Sequence, residues 1–435
     1  MKLIGYQCSI CGETYSAEEA IYTCRNDAGN LDIVLDYAAI RDETSPDAIR
    51  AEGEGSIWRY QSLLPVGDPG LHATPLRAVG WTPLFKSSRL SAELGLNDLW
   101  LKDDGRNPTA SFKDRASAVV VARAREIGAK TVVTASTGNA GAALAGMAAA
   151  AGLPAVIFAP RSAPQAKVAQ LLIFGARVML VEGTYDEAFE LTLEAAQAFG
   201  WYCRNTGYNP FTAEGKKTAA FEICEQLTIE AFSRGRKEAG SQAGRRAAAD
   251  GTSLRWNAPD SVFVPVGDGN IITGIHKGFK DLLELGWIAR MPRLYGVQSS
   301  GSAAVANAFQ SGSETIEPVK ADTLADSISV DLPRDGLRAL RAARDTGGAI
   351  FTVEDGAILS AIRALGREAV FAEPAGAASY AGVAQAVEDG LIDSHEQVVA
   401  VITGSGLKDV PAAMRAAGEA VVIEPTLEAV KAALG

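Results

Sequence analysis

The sequence predicts an α/β protein built on parallel sheets with helices on both faces. Three observations carry that expectation. From about residue 76 onward, strand-like and helix-like segments alternate. Several strand-like segments end in short turns of glycine and hydroxyl residues, the place where open parallel sheets bind ligands. The 435 residues are 47% hydrophobic and 21% charged, a globular composition long enough for two or three cores.

Residues 1–40 hold three of the five cysteines and read as a small separate unit. Within it, Cys8-x2-Cys11 and Cys24-x2-Asp27 approach the spacing of a zinc knuckle, which makes Cys8, Cys11, Cys24 and Asp27 candidate zinc ligands. Aspartate is uncommon in structural zinc sites, so the alternative is a unit that folds without metal. Residues 41–75 are rich in Gly, Pro and charge and read as an irregular arm.

The alternation then runs in order. Strands are expected at 98–104, 131–136, 154–160 and 177–183, and helices at 115–129, 140–152, 165–176 and 184–200. The uncharged stretch 140–160 has the length of a membrane span, but it is mostly Ala and Gly and is broken by Gly152-Leu153-Pro154. A buried helix followed by a buried strand explains it. Residues 228–258 are basic, rich in Gly and Ala and weakly periodic, and read as a surface insertion or frayed helix pair. A strand at 261–267, a helix at 270–286, and strands at 294–298 and 398–406 complete the pattern.

Net charge is −11 and the pI about 5.0. That balance argues against nucleic acid and anionic membranes as partners, while leaving small anionic ligands open, because loop amides bind those locally. The first residues, MKLIGYQCSICG, contain no apolar signal core, and a cytoplasmic location is expected.

Several chemistries are excluded by spacing. Gly267 and Gly269 are followed by Ile272 where a dinucleotide fingerprint needs glycine. Pro210 stands where a Walker-type loop needs its first glycine before Gly215. There is no GxSxG elbow, and the three histidines lie far from any nucleophile motif.

What remains is a set of strand-end loops and one lysine. VPVGDGNIITG places Gly267, Asp268, Gly269 and Asn270 between a strand and a helix, where free amides suit a phosphate. TASTGNAGAA offers Ser136, Thr137 and Asn139 at a helix start, which suits a carboxylate or a simple N-cap. VITGSGLKD ends a strand with Thr403 and Ser405, either of which could bond a ring nitrogen. Lys113, in NPTASFKDRAS, sits between Phe112 and Asp114-Arg115 rather than on a polar face. A lysine near strand ends, a phosphate cup and a hydroxyl for a ring nitrogen together fit pyridoxal 5'-phosphate.

With those motifs in hand, the chain resembles the fold-type-II pyridoxal phosphate enzymes, and among them the threonine synthases. The resemblance rests on GWTPLFKSSRL (80–90), NPTASFKDRA (107–116), ASTGNAGAA (135–143), NPFTAEGKKTAAFEI (209–223), VPVGDGNIITGIHKGF (264–279), EPAGAAS (373–379) and TGSGLKD (403–409), in the family order. It implies a tryptophan synthase β-like fold of two open three-layer α/β/α domains. The large domain would span about 41–110 and 210–435 and the smaller about 111–209, beside the Cys-rich extension 1–40. It implies a Schiff base at Lys113, Asn139 at the phenolic oxygen of the cofactor, and Gly267, Asp268, Gly269 and Asn270 around its phosphate. Thr403, or Ser405 as the alternative, would meet the pyridine nitrogen, and Ser136 and Thr137 the substrate carboxylate. It also implies a homodimer.

Three loops differ from the usual threonine synthase pattern: GDGN for Gly-Asn-x-Gly-Asn, STGNAGA for STGNTSA, and TGSGLKD for TGHGLKD. The expected activity is conversion of O-phospho-L-homoserine and water to L-threonine and phosphate. A threonine or serine ammonia-lyase, and β-replacement on O-phosphoserine, share every motif; a non-catalytic sensor would not need Lys113 with all its partner loops. Lys86, Arg106, Lys216 and Lys217 are the cations nearest the motifs for a leaving phosphate, with a solvated surface role as the alternative for each. Arg115 is expected to pair with Asp114 or a neighbour.

Overall fold

The computed structural model describes residues 2–19, 22–238 and 255–434. Two parallel sheets carry the expected alternation. The smaller has the order β8-β7-β6-β9, with β6 Val132–Ala135, β7 Ala155–Pro160, β8 Arg177–Val181 and β9 Tyr202–Cys203, all parallel. The larger has the order β12-β11-β10-β13-β5-β4. Its strands are β4 Leu84–Lys86, β5 Asp98–Asp103, β10 Ser261–Pro265, β11 Arg293–Ser299, β12 Ala349–Val353 and β13 Gln397–Ile402. Five run parallel; only the three-residue edge strand β4 pairs antiparallel with β5.

The central strands are buried between helices, whereas the outer strands β4 and β8 are half-buried to exposed. β10 is buried along its whole length, as its apolar run SVFVP requires. The uncharged segment folds as expected into the helix Asn139–Ala150 and the strand β7. Among the described residues, no helix is long and apolar enough to cross a membrane.

The N-terminal residues form an antiparallel sheet of order β2-β1-β3, with β1 Leu3–Cys8, β2 Thr14–Ser16 and β3 Leu31–Leu35. This sheet shares its core with the main body: Tyr6 meets the ring of Phe211 edge-on, and Leu3, Leu31 and Ile33 are buried in the same cluster. Residues 41–75 are not an irregular arm. Asp36 and Ser45 cap two short helices, Tyr37–Glu43 and Pro46–Ala51, and Ile57, Tyr60 and Leu63 in the following 3₁₀ segment are fully buried. The insertion expected at 228–258 begins as the continuation of a helix, Thr218–Glu238; residues 239–254 lie outside those described.

Candidate active site

Strand ends from both sheets converge on one cavity of about 620 Å³. β6 delivers Ser136, Thr137 and Asn139; β10 delivers Gly267 to Asn270; β13 delivers Thr403; and Lys113 opens the helix Lys113–Glu126. These residues all line the cavity, as the strand-end rule predicts.

The turn after β10 is shaped for close approach. Gly269 has φ +91°, and a Cβ there would lie 2.5 Å from the Asp335 carbonyl oxygen. A Cβ on Gly267 would lie 3.0 Å from the Ile328 Cα. The helix Asn270–Glu284 starts at this turn without a side-chain cap, so its first N–H groups stay free for an anion.

Lys113 is half-buried, at the cavity wall. Burial pushes its amine below the ordinary lysine range, the Arg204 charge adds to that, and Glu373 and Asp268 oppose it. An amine so placed is available as a nucleophile or base. Asn139 points its amide into the site and donates to both carboxylate oxygens of Glu373, each at 2.9 Å. Burial raises the Glu373 carboxyl, and the Asn139 bond partly offsets this.

Ser405 is not on the cavity wall. Its N–H bonds Ala110, and its hydroxyl accepts from Leu407 N–H at 3.4 Å, capping the 3₁₀ turn Gly406–Lys408, so its side chain is spent on local structure. Thr403, two residues earlier, lines the cavity and is buried.

The four candidate cations separate cleanly. Lys86 pairs with Asp98 at 2.5 Å and Arg106 is exposed. Lys217 is fully buried between Glu214 and Asp281, at 2.6 and 2.7 Å. Lys216 is fully buried too, lines the cavity, and donates to Asn270 Oδ1. Two of the four are therefore interior residues. Arg115 does not pair with Asp114, which instead accepts from Thr109; it meets Asp104 and Glu222 in the interior.

Glu373 and Lys216 thus belong to the site by position. Both fell inside quoted motifs, EPAGAAS and NPFTAEGKKT, but neither motif alone says which way its charged side chain turns.

The pyridoxal-phosphate dependent enzyme family matches residues 76–404. The chain belongs to that family. It is 37% identical to the threonine synthase of Methanocaldococcus jannaschii over 428 residues, 98% of each chain. It is 36% identical to the threonine synthase of Methanosarcina acetivorans over 431 residues, again 98% of each. Among solved structures, the processed threonine deaminase isoform 2 of Solanum lycopersicum superposes with a TM-score of 0.62 at 24% identity, covering 83% of this chain and 94% of that one. Maize serine racemase gives 0.59 at 21% identity, over 74% and 89%. These two show the fold. The cavity fits pyridoxal phosphate: a glycine turn with free amides, a buried amine, an amide and a hydroxyl surround one space.

The candidate zinc ligands also come together. Cys8 Sγ lies 3.3 Å from Asp27 Oδ1, Cys11 Sγ lies 3.6 Å from Cys24 Sγ, and all four ligand atoms fall within 4.8 Å of one another. Two turns of the same shape present them. Ile10 N–H bonds Cys8 Sγ and Gly12 N–H bonds the Cys8 carbonyl; Asn26 N–H bonds Cys24 Sγ and Ala28 N–H bonds the Cys24 carbonyl. Gly12 and Ala28, one residue past Cys11 and Asp27, both have positive φ, +76° and +55°.

Proposed function

We propose that this chain is a threonine synthase, converting O-phospho-L-homoserine and water to L-threonine and phosphate. The observation that carries the reading is the single cavity in which Lys113 faces a phosphate-shaped turn and a hydroxyl-rich helix start, in a chain collinear with threonine synthases over 98% of its length. In this reading each of the two sheets is the core of one expected domain, 41–110 with 210–435 and 111–209, and strand ends of both sheets supply the cavity.

In this reading the backbone of Gly267, Asp268, Gly269 and Asn270 holds the cofactor phosphate, Asn139 its phenolic oxygen and Thr403 its ring nitrogen. Bound pyridoxal phosphate supplies an electron sink that acidifies the substrate's Cα–H and Cβ–H bonds. Lys113 anchors the cofactor and, once released, accepts the proton at Cα, which its burial-lowered affinity for protons favours. Ser136 and Thr137 bind the substrate carboxylate. A hydroxyl at the ring nitrogen, in place of a carboxylate, moderates the sink and suits elimination over transamination. Loss of a Cβ proton expels phosphate from Cγ; Cγ regains a proton, water adds its oxygen at Cβ, and return of the proton to Cα completes threonine.

The holoenzyme incubated with O-phosphohomoserine is expected to release phosphate and threonine in equal amounts. Neither product, together with 2-oxobutyrate and ammonia from threonine, would replace this reading with an ammonia-lyase. Turnover of O-phosphoserine alone would replace it with β-replacement.

We further propose that Cys8, Cys11, Cys24 and Asp27 hold one zinc ion. The paired knuckle turns support this, as does spacing: tetrahedral zinc with sulfur at about 2.3 Å sets sulfurs about 3.8 Å apart, against 3.6 Å for Cys11 and Cys24. Metal analysis of protein purified without chelators is expected to give one zinc per chain, and Cys11→Ser to lose it. Wild-type protein that neither carries zinc nor takes it up when it is supplied would sink this assignment.

A further inference from the structure

Two buried cations lie at or near the cavity, with no acid among the described residues within ion-pair distance of either. Lys216 and Arg204 are fully buried, and among the described residues neither makes an ion pair. The contrast with the next residue is direct: Lys217 meets two carboxylates, whereas Lys216 meets only the amide oxygen of Asn270. A buried charge without a counter-charge is costly, so such a group either gives up its proton or awaits an anion. Burial does push the Lys216 amine well below the ordinary range, and Lys113 and Arg204 repel it further, while Asp335 and Asp268, beyond ion-pair distance, oppose this.

Position identifies the anion. Lys216 bonds Asn270, the first residue of the helix that begins at the glycine turn. Its stem lies against that helix: a Cβ on Gly274 would stand 2.6 Å from the Lys216 Cβ. The Asn270 side chain is clamped from its other end, its Nδ2 donating to Asp335 Oδ2 at 2.7 Å. Arg338 grips both oxygens of Asp335 and reaches Asp32 and the Leu31 carbonyl of β3. Lys216 is therefore held at the turn by a rigid chain of bonds. The turn also contains an acid on the cavity wall, the half-buried Asp268, whose carboxylate charge would oppose a phosphate dianion. A cation beside it offsets that repulsion.

We propose that Lys216 is the cation that receives the phosphate of pyridoxal phosphate, beside the Gly267–Asn270 turn. This rests on the cofactor reading of the cavity. Arrival of the dianion favours the charged form of Lys216 and supplies the close counter-charge it lacks.

The test compares two forms of the cofactor. Apoenzyme is titrated with pyridoxal phosphate and with pyridoxal, which lacks the phosphate, and binding is read by equilibrium dialysis. Wild type is expected to prefer the phosphorylated form. Lys216→Gln should reduce that preference at least tenfold by weakening pyridoxal phosphate alone, and Lys216→Arg should retain it. If Lys216→Gln does not fold, Lys216→Met, which keeps the alkyl stem, takes its place with the same expectation. A neutral variant that weakens both compounds equally, or neither, overturns the role of Lys216. Lys113→Ala separates the two readings, because it should keep the preference for phosphate after losing covalent attachment. Wild type that binds neither compound would overturn the cofactor reading, and this one with it.

Discussion

Replacing Lys113 with alanine is expected to abolish the visible absorption band of bound cofactor and to lower kcat/KM by about 10³-fold or more. Lys113 is the amine that opens the helix Lys113–Glu126 and lines the cavity. Burial and the neighbouring Arg204 charge keep its amine below the ordinary lysine range, so the neutral form needed of a nucleophile and base is available at lower pH than for a solvated lysine. The sign follows for the pH profile: activity rises with pH as the amine loses its proton, and the rise comes earlier than a surface lysine would give. The other lysine on the wall, Lys216, is tied to Asn270 and does not stand in for it. Borohydride treatment followed by peptide mapping checks the assignment: wild-type protein should carry the label on Lys113 and the alanine variant should carry none. A variant that keeps its band and its turnover would remove Lys113 from the chemistry.

The loops of this site were legible in the sequence because their chemistry is local. A strand ending in Gly-Asp-Gly-Asn, or in Ser-Thr-Gly-Asn, needs its glycines and hydroxyls at fixed offsets, and those offsets survive in one dimension. Charged side chains inside helices were not legible. Lys216 and Lys217 read only as cations beside a motif, for a leaving phosphate or for solvent, yet the fold carries both inward to different partners. Glu373 read only as part of a family motif, because nothing near it in the chain shows that Asn139, 234 residues away, is its partner. Arg115 was matched to its neighbour Asp114, but adjacent residues on a helix project from different faces; its partners are 11 and 107 residues distant. The same limit hid β4, whose three residues form a strand only because β5 offers an edge. Residues 41–75 looked irregular because short capped helices carry too few turns to show a period.

Those distant partners set the second large effect. Glu222→Gln is expected to destabilise the fold by about 3–5 kcal/mol, the range for breaking a buried ion pair by removing one partner. Glu222 is fully buried; its two oxygens accept from Arg115 Nη1 and Nη2, from Lys102 Nζ at 2.7 Å, and from the N–H groups of Trp81 and Thr82. Arg115 keeps a second carboxylate, Asp104, when Glu222 is neutralised. Lys102 does not: its remaining partners are the Thr82 carbonyl and the Gln226 amide oxygen, at 2.7 and 2.8 Å. The loss therefore falls on an uncompensated ammonium inside β5. Burial by itself pushes the Glu222 carboxyl up, but Arg115 and Lys102 outweigh it and hold the group at about 2. A depressed carboxyl stabilises the fold above its ordinary value of 4.5 and loses that contribution as pH falls toward 2, so the glutamine variant should show a flatter acid limb than wild type. Denaturant midpoints at neutral pH measure the main effect. Adding Lys102→Met to Glu222→Gln should recover a large part of the loss, because an apolar stem replaces the stranded charge. A single variant as stable as wild type, or a double variant worse than the single, would show that the cluster is not held together by charge. The network joins β5 to the helix that begins at Lys113 and to the helix Thr218–Glu238, so its failure should also loosen the placement of Lys113.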